Sequence, residues 1–208
     1  MPRIHYFAFG SNMLSARLTA RTDSARPLGL VRLQGWQLAF HKRGADDSGK
    51  CDIQPGADHE EVLGVVFEMD ADQLPVLDRF EGAGYERTGI DVPYDGTRLH
   101  CAVYRATDDY IEPALRPFDW YHRLVIAGLL EHGAEPAYID RVRRTPWIDD
   151  PEQQRPARQL ALAALAAFDA RFPNLTPLLA AAAGIRAPAA EYRDPARRPA
   201  LQSPTPPS

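Results

Sequence analysis

Two short stretches hold the residues best suited to chemistry. In Tyr6-Phe7-Ala8-Phe9-Gly10-Ser11-Asn12-Met13, an aromatic and branched run stops at three turn-forming residues. Glycine permits backbone angles closed to other residues, and consecutive amide N–H groups in such a turn can converge on an anion. The second is Glu81, four residues after Leu77 and so on the same side of the helix expected there, at the end where backbone carbonyls already present negative charge. Partial burial and the helix end both favour the protonated carboxyl, which makes Glu81 a stronger base than a free carboxylate and suits it to proton transfer near neutral pH. Each feature has a plain alternative: a turn that is only a turn, and a glutamate at the solvent edge.

Other chemistries find little support. The sequence has no G-x-x-x-x-G-K-[ST], G-x-S-x-G, H-E-x-x-H or paired C-x-x-C. Of six histidines, only those in His59-Glu60-Glu61 and Glu131-His132 adjoin a carboxylate, at spacings that do not put two ligands on one helix face. No metal and no cofactor are therefore expected. A net charge of −4 argues against a nucleic-acid partner, which needs a basic face; Arg141, Arg143 and Arg144 read as a solvated helix face. The longest apolar run, Leu160 to Phe168, falls well short of the ~20 residues that cross a bilayer, so no membrane role is expected. The opening MPRIHYFAFG lacks the pattern of a secretory leader. With only two cysteines, Cys51 and Cys101, the expected location is the cytoplasm, where a disulfide between them would be unusual.

The elements that must position these residues follow from patterning. Ile4 to Phe9 reads as a strand ending in a loop, and Ser15 to Arg21 as a short helix. Leu28 to Phe40 alternates around Gly35 like one long bulged strand; His41 to Asp52, with Asp-Asp-Ser-Gly inside it, reads as a polar loop. Val62 to Met69 is a strand buried on both faces. Ala71 to Glu81 is a helix capped by Asp70, with Leu74, Leu77 and Phe80 as its apolar stripe and Gly82 just past its end. Tyr85 to Val92 and Leu99 to Ala106 flank Asp95-Gly96, a hairpin signal that makes the sheet at least partly antiparallel. A helix over Phe118 to His132 buries Tyr121, Leu124, Val125, Ala127 and Leu129. Another after Pro136 turns Tyr138, Ile139 and Val142 inward. Beyond Asp150 the chain becomes Ala- and Leu-rich, with helical spacing at Leu160, Leu165 and Phe168 and a short helix after Pro177. From Ile185 its Pro, Ala and Arg content predicts disorder.

The run YFAFGSNM, followed about 70 residues later by LDRFEG and then Gly84-Tyr85, resembles the γ-glutamylcyclotransferase family, whose pattern is YFAYGSN, LD-x-x-EG and a nearby GY. The resemblance runs from Tyr6 to about Val142 and includes Trp120-Tyr121 ahead of an amphipathic helix. It implies an α+β fold, a small mixed, partly antiparallel and barrel-like sheet with flanking helices, over residues 1–150. A helical extension over 151–185 and a disordered tail over 186–208 would follow. It further implies that Tyr6, Phe7, Ala8, Phe9, Gly10 and Ser11 cradle a γ-glutamyl group, that Asn12 and Met13 shape the loop, that Glu81 is the essential glutamate, and that Tyr85 and Tyr121 are the family's site aromatics. Phe9 stands where many members have tyrosine.

The implied reaction is cyclisation of a small-molecule γ-glutamyl compound to 5-oxoproline with release of an amine. The substrate carries its own nucleophile and electrophile, so orientation and proton management suffice. Two other readings stay open at this point: a non-catalytic binding or interaction module on the same fold, and an amidase dependent on Ser11 or Cys101, which lacks a histidine base in motif context. The leaving amine and the oligomeric state are not specified by the sequence. Glutathione-specific relatives carry a different first loop, which turns expectation away from glutathione.

Overall fold

The computed structural model describes residues 2–180 and 186–187. In chain order its elements are β1 (Arg3–Ala8), a 3-10 turn (Ser11–Met13), α1 (Ser15–Thr19), β2 (Arg26–Gln34), β3 (Trp36–Arg43), β4 (Gly49–Pro55) and β5 (Glu61–Asp70). There follow α2 (Leu74–Glu81), β6 (Tyr85–Tyr94), β7 (Thr97–Ala106), α3 (Asp119–Glu131), α4 (Pro136–Arg143), α5 (Pro156–Arg171) and α6 (Thr176–Ala180). The fold is α+β. Five strands form one mixed sheet in the order β2-β5-β1-β7-β6, and β3 and β4 pair separately. β1 lies at the centre, antiparallel to β5 and parallel to β7 through His5 opposite Cys101 and Tyr6 opposite Ala102. The sheet curls without closing: Tyr94 Oη on edge strand β6 donates to Leu28 O on edge strand β2 at 3.3 Å.

The core forms where alternation and helical stripes converge. In β5, residues 62–67 are all buried, as a strand covered on both faces requires. The β6–β7 turn has Asp95 at φ 46° and Gly96 at φ 73°, the paired left-handed residues of a tight hairpin. Helix α3 buries ten of its thirteen residues and is packed by α5 through Ala161, Ala164, Leu165 and Phe168. Among the described residues no helix is long and apolar enough to cross a membrane.

Several expectations are corrected. The strand expected over Leu28 to Phe40 is two strands in two sheets, because Gly35, at φ 73°, turns a corner instead of bulging a continuous ladder. His41 to Asp52 is mostly strand, with only residues 44–48 between β3 and β4. Its polar residues pair with one another: His41 Nε2 lies 2.9 Å from the buried Asp52, and Lys50 Nζ lies 2.8 Å from the partly buried Asp46. The helix before Glu81 begins at Leu74 with Pro75 in its first turn, after a separate 3-10 turn at Ala71–Gln73. Asp70 makes no side-chain cap and accepts from Arg3 instead. Phe80 is exposed, its ring covered by the Arg21 guanidinium at 5.1 Å, and Leu160 points to solvent; in both helices the buried stripe is narrower than the apolar residues suggested. Of the tail, residues 188–208 lie outside the described residues. Arg186 and Ala187 are described: Ala187 donates to Trp147 O at 2.8 Å, and Arg186 pairs with Asp149.

Candidate active site

β1 ends at Ala8, and the chain turns over Gly10 into the 3-10 turn of Ser11, Asn12 and Met13, all buried. The turn closes with Met13 N–H to Gly10 O at 3.0 Å and Leu14 N–H to Ser11 O at 3.4 Å, so the amides of Ser11 and Asn12 precede its first hydrogen bond. Gly10 is required by close approach: a Cβ there would lie 2.9 Å from Cys51 Cβ and 3.4 Å from Tyr121 Oη. Helix α3 holds the far side of the turn. Gly128, seven residues and so nearly two turns beyond Tyr121, lets the Met13 backbone approach the helix. Glu131 accepts the Ser15 N–H at 2.8 Å, and His132 Nε2 donates to Met13 O at 3.0 Å. The Glu131-His132 pair thus anchors the loop.

Glu81, at the last position of α2, has a side chain only 14% exposed. Its Oε1 accepts from Asn12 Nδ2 at 2.7 Å and from Arg21 at 3.2 Å, and Arg21 also donates to Asn12 Oδ1 at 3.0 Å. Asn12 and Arg21 are thus the polar partners of this largely buried carboxyl group. Asn12 Nδ2 also donates to Tyr6 Oη at 3.0 Å, joining the first strand to the glutamate.

These groups surround a small cavity of about 30 Å³. Of the residues singled out from sequence, Tyr6, Phe9, Gly10, Ser11, Asn12, Glu81, Tyr85 and Tyr121 line it, and Phe7 and Ala8 do not. Phe7 is wholly buried and packs over Gly64 of β5. Tyr104 and Cys51 complete the lining and were missed. Cys51 fell in the stretch read as a loop, and Tyr104 carried no motif.

The hydroxyls are oriented. Tyr121 Oη accepts the Cys51 N–H at 3.1 Å and also interacts with the Cys51 side chain, whereas Tyr6 Oη accepts from Asn12, so the phenolic proton of Tyr6 remains available to donate. Tyr85 donates to Cys51 O, and Tyr104 to Asp78 at 2.7 Å. Burial, chiefly, pushes Tyr6, Tyr85 and Tyr121 well above the ordinary phenol range, so they act as donors and not as bases. Burial also pushes the Cys51 thiol up to about 12, which rules it out as a thiolate nucleophile at neutral pH. Glu81 is the one carboxylate among the lining residues.

A family model for "Gamma-glutamyl cyclotransferase, AIG2-like" matches residues 6–122, from the first cavity tyrosine to just past Tyr121. The chain belongs to this family. Within the family it is 31% identical to the γ-glutamylcyclotransferase of Bos taurus over 147 residues, covering 64% of this chain and 73% of the relative. It is 30% identical to that of Homo sapiens over 152 residues, covering 66% and 76%. A solved structure named as a γ-glutamyl cyclotransferase superposes with a TM-score of 0.68 at 24% identity, over 79% of this chain and 99% of that one, which establishes the common fold. Residues after 122, including all of α4, α5 and α6, lie beyond the span that the family model matches.

Proposed function

We propose that this protein is a γ-glutamylcyclotransferase, converting a γ-glutamyl compound to 5-oxoproline and a free amine with Glu81 as general acid and base. The observation that carries the reading is the Asn12–Glu81 hydrogen bond at 2.7 Å, which ties the glycine-serine-asparagine loop to the one carboxylate lining the cavity. Glu81 takes a proton from the substrate's α-ammonium. The freed amine attacks the γ-carbonyl carbon and closes a five-membered ring; the bond from that carbon to the leaving nitrogen breaks as Glu81 returns the proton to that nitrogen, and Glu81 then relays the second proton of the ring nitrogen to the departing amine, which leaves as an ammonium. Atoms and charge balance without water. The amides of Ser11 and Asn12, with the hydroxyl of Tyr6, are suited to hold the α-carboxylate and the developing oxyanion.

Glu81→Gln tests the assignment. The variant keeps volume and an oxygen for Asn12 while losing the proton shuttle and the charge facing Arg21. We expect a folded protein that binds substrate and releases 5-oxoproline about 10²-fold more slowly or worse. Near-equal rates would remove Glu81 from the mechanism. Wild-type protein that binds γ-glutamyl compounds without turning any over would favour the binding-module reading.

A further inference from the structure

A wider groove opens from the Glu81 cavity and shares Ser11, Glu81, Tyr85 and Tyr121 with it. Six cations line this groove, Arg17, Arg21, Lys42, Lys50, Arg79 and Arg155, against two carboxylates, Asp46 and Glu81. Half of the cations are neutralised. Arg21 pairs with Glu81, Lys50 with Asp46, and Arg155 with Asp150 at 2.9 Å. Arg17, Lys42 and Arg79 have no carboxylate within ion-pairing distance among the described residues. Arg79 is exposed and donates to Pro75 O at 3.1 Å. The other two are built into the wall.

Lys42 is 3% exposed, yet its ammonium makes one hydrogen bond, to Ala83 O at 2.9 Å, and lies 4.4 Å over the Tyr85 ring. An ammonium has three N–H donors, and burying one without a counter-charge is costly. Arg17 spends its Nε on Ser11 Oγ at 3.1 Å, leaving the ends of its guanidinium unpaired. Burial lowers Lys42 to about 8 and Arg17 to about 10; Glu81 and Asp46 oppose the first shift while Lys50 and Arg43 add to it, and Arg21 adds to the second against Tyr121 and Glu81. A buried ammonium and a partly buried guanidinium, each without an ion-paired carboxylate among the described residues, in a concavity with six cations against two carboxylates, mark a site whose counter-charge arrives with a ligand.

We propose that this groove receives the leaving portion of the substrate and that this portion carries two negative charges, held by Lys42 and Arg17: a dicarboxylic amino acid or a phosphorylated amine. The assignment rests on the cyclotransferase reading above, and it sets aside polyamine and lysine conjugates, whose leaving portions bring positive charge to a groove already in excess.

The test uses two parallel panels with neutral, cationic, monocarboxylate, dicarboxylate and phosphoethanolamine leaving portions. Glutaric acid monoamides, which lack the α-amine and cannot cyclise, give Kd by calorimetry on the wild-type protein. The matching γ-glutamyl conjugates give kcat/KM. We expect the dianionic members to bind about tenfold or more tighter than the neutral one, with the stronger salt dependence, and the cationic member to bind most weakly. The better of the two dianions identifies the leaving portion as carboxylate or phosphate. Lys42→Gln and Arg17→Gln should each narrow the dianionic-to-neutral ratio several-fold. A flat Kd order, or a ratio that neither variant narrows, overturns the proposal. An ordered Kd series with no 5-oxoproline from any conjugate supports the anion groove and overturns the cyclotransferase reading.

Discussion

Gly128 offers a test of the site that touches no residue of the cavity. In α3 it faces the 3-10 turn, and a Cβ at this position would lie 2.6 Å from Met13 Cβ and 2.8 Å from Leu14 N. Ordinary carbon contacts need about 3.5 Å or more, so Gly128→Ala requires the loop and helix to part by about 1 Å. Two of the three nearest atoms to that Cβ, Leu14 N and Met13 C, are backbone, so a side-chain rotation does not relieve the clash. The displaced segment directly follows Asn12, whose amide sits 2.7 Å from Glu81, and a misplacement of this size at reacting groups costs about 10²-fold in rate. Stability responds to opposed effects. Alanine improves an interior helix position by about 1 kcal/mol, and overpacking a buried contact costs about 1–3 kcal/mol. The expected result is 5-oxoproline release lowered about 10²-fold with the melting temperature unchanged or lower by a few degrees. A variant with wild-type turnover and a raised melting temperature would show that the loop tolerates the shift, and would refute the idea that the α3 contact sets the geometry at Glu81.

Two further outcomes are expected. Lys42, lowered to about 8 chiefly by burial, is held charged by Glu81 and Asp46 and opposed by Lys50 and Arg43, so its positive charge is lost as pH rises through about 8. The KM of dianionic conjugates should rise relative to that of neutral ones between about pH 7 and 9, a ratio that cancels the titration of the shared glutamyl amine; a ratio constant across this range would contradict the role of Lys42. Iodoacetamide at neutral pH should leave activity intact, because burial pushes Cys51 up to about 12 and Cys101 up to about 11, and rapid inactivation would restore the cysteine-dependent amidase.

The two ends of the site were readable because each is local. Gly10 to Asn12 announces a turn by composition, and Glu81 announces a helix end by its spacing from Leu77 and by the glycine that follows, which sits at φ 68°. Arg21 was not readable. Its contact with Glu81 spans 60 residues and depends on how the segment after α1 lies against α2, which no periodicity encodes. The stretch from His41 to Asp52 misled for a related reason: polar composition signals a loop only when the polar groups meet water, and here His41, Lys42, Ser48 and Asp52 are buried. Lys42, now central to the groove, was hidden in that misreading.

The parallel pairing of β1 with β7 also governs when the site can exist. Tyr6 and Asn12 leave the ribosome first, yet β1 lacks its second neighbour until Cys101 and Ala102 have been made and carried back across the molecule. Tyr121 and the α3 residues that clamp the loop arrive later still. Pairing across so long a segment is slower to form than a local hairpin such as β6–β7. On the cyclotransferase reading, catalytic competence is an end-point of maturation: in refolding, turnover should return after the bulk of the secondary structure, and partly synthesised chains should carry the loop without the cavity.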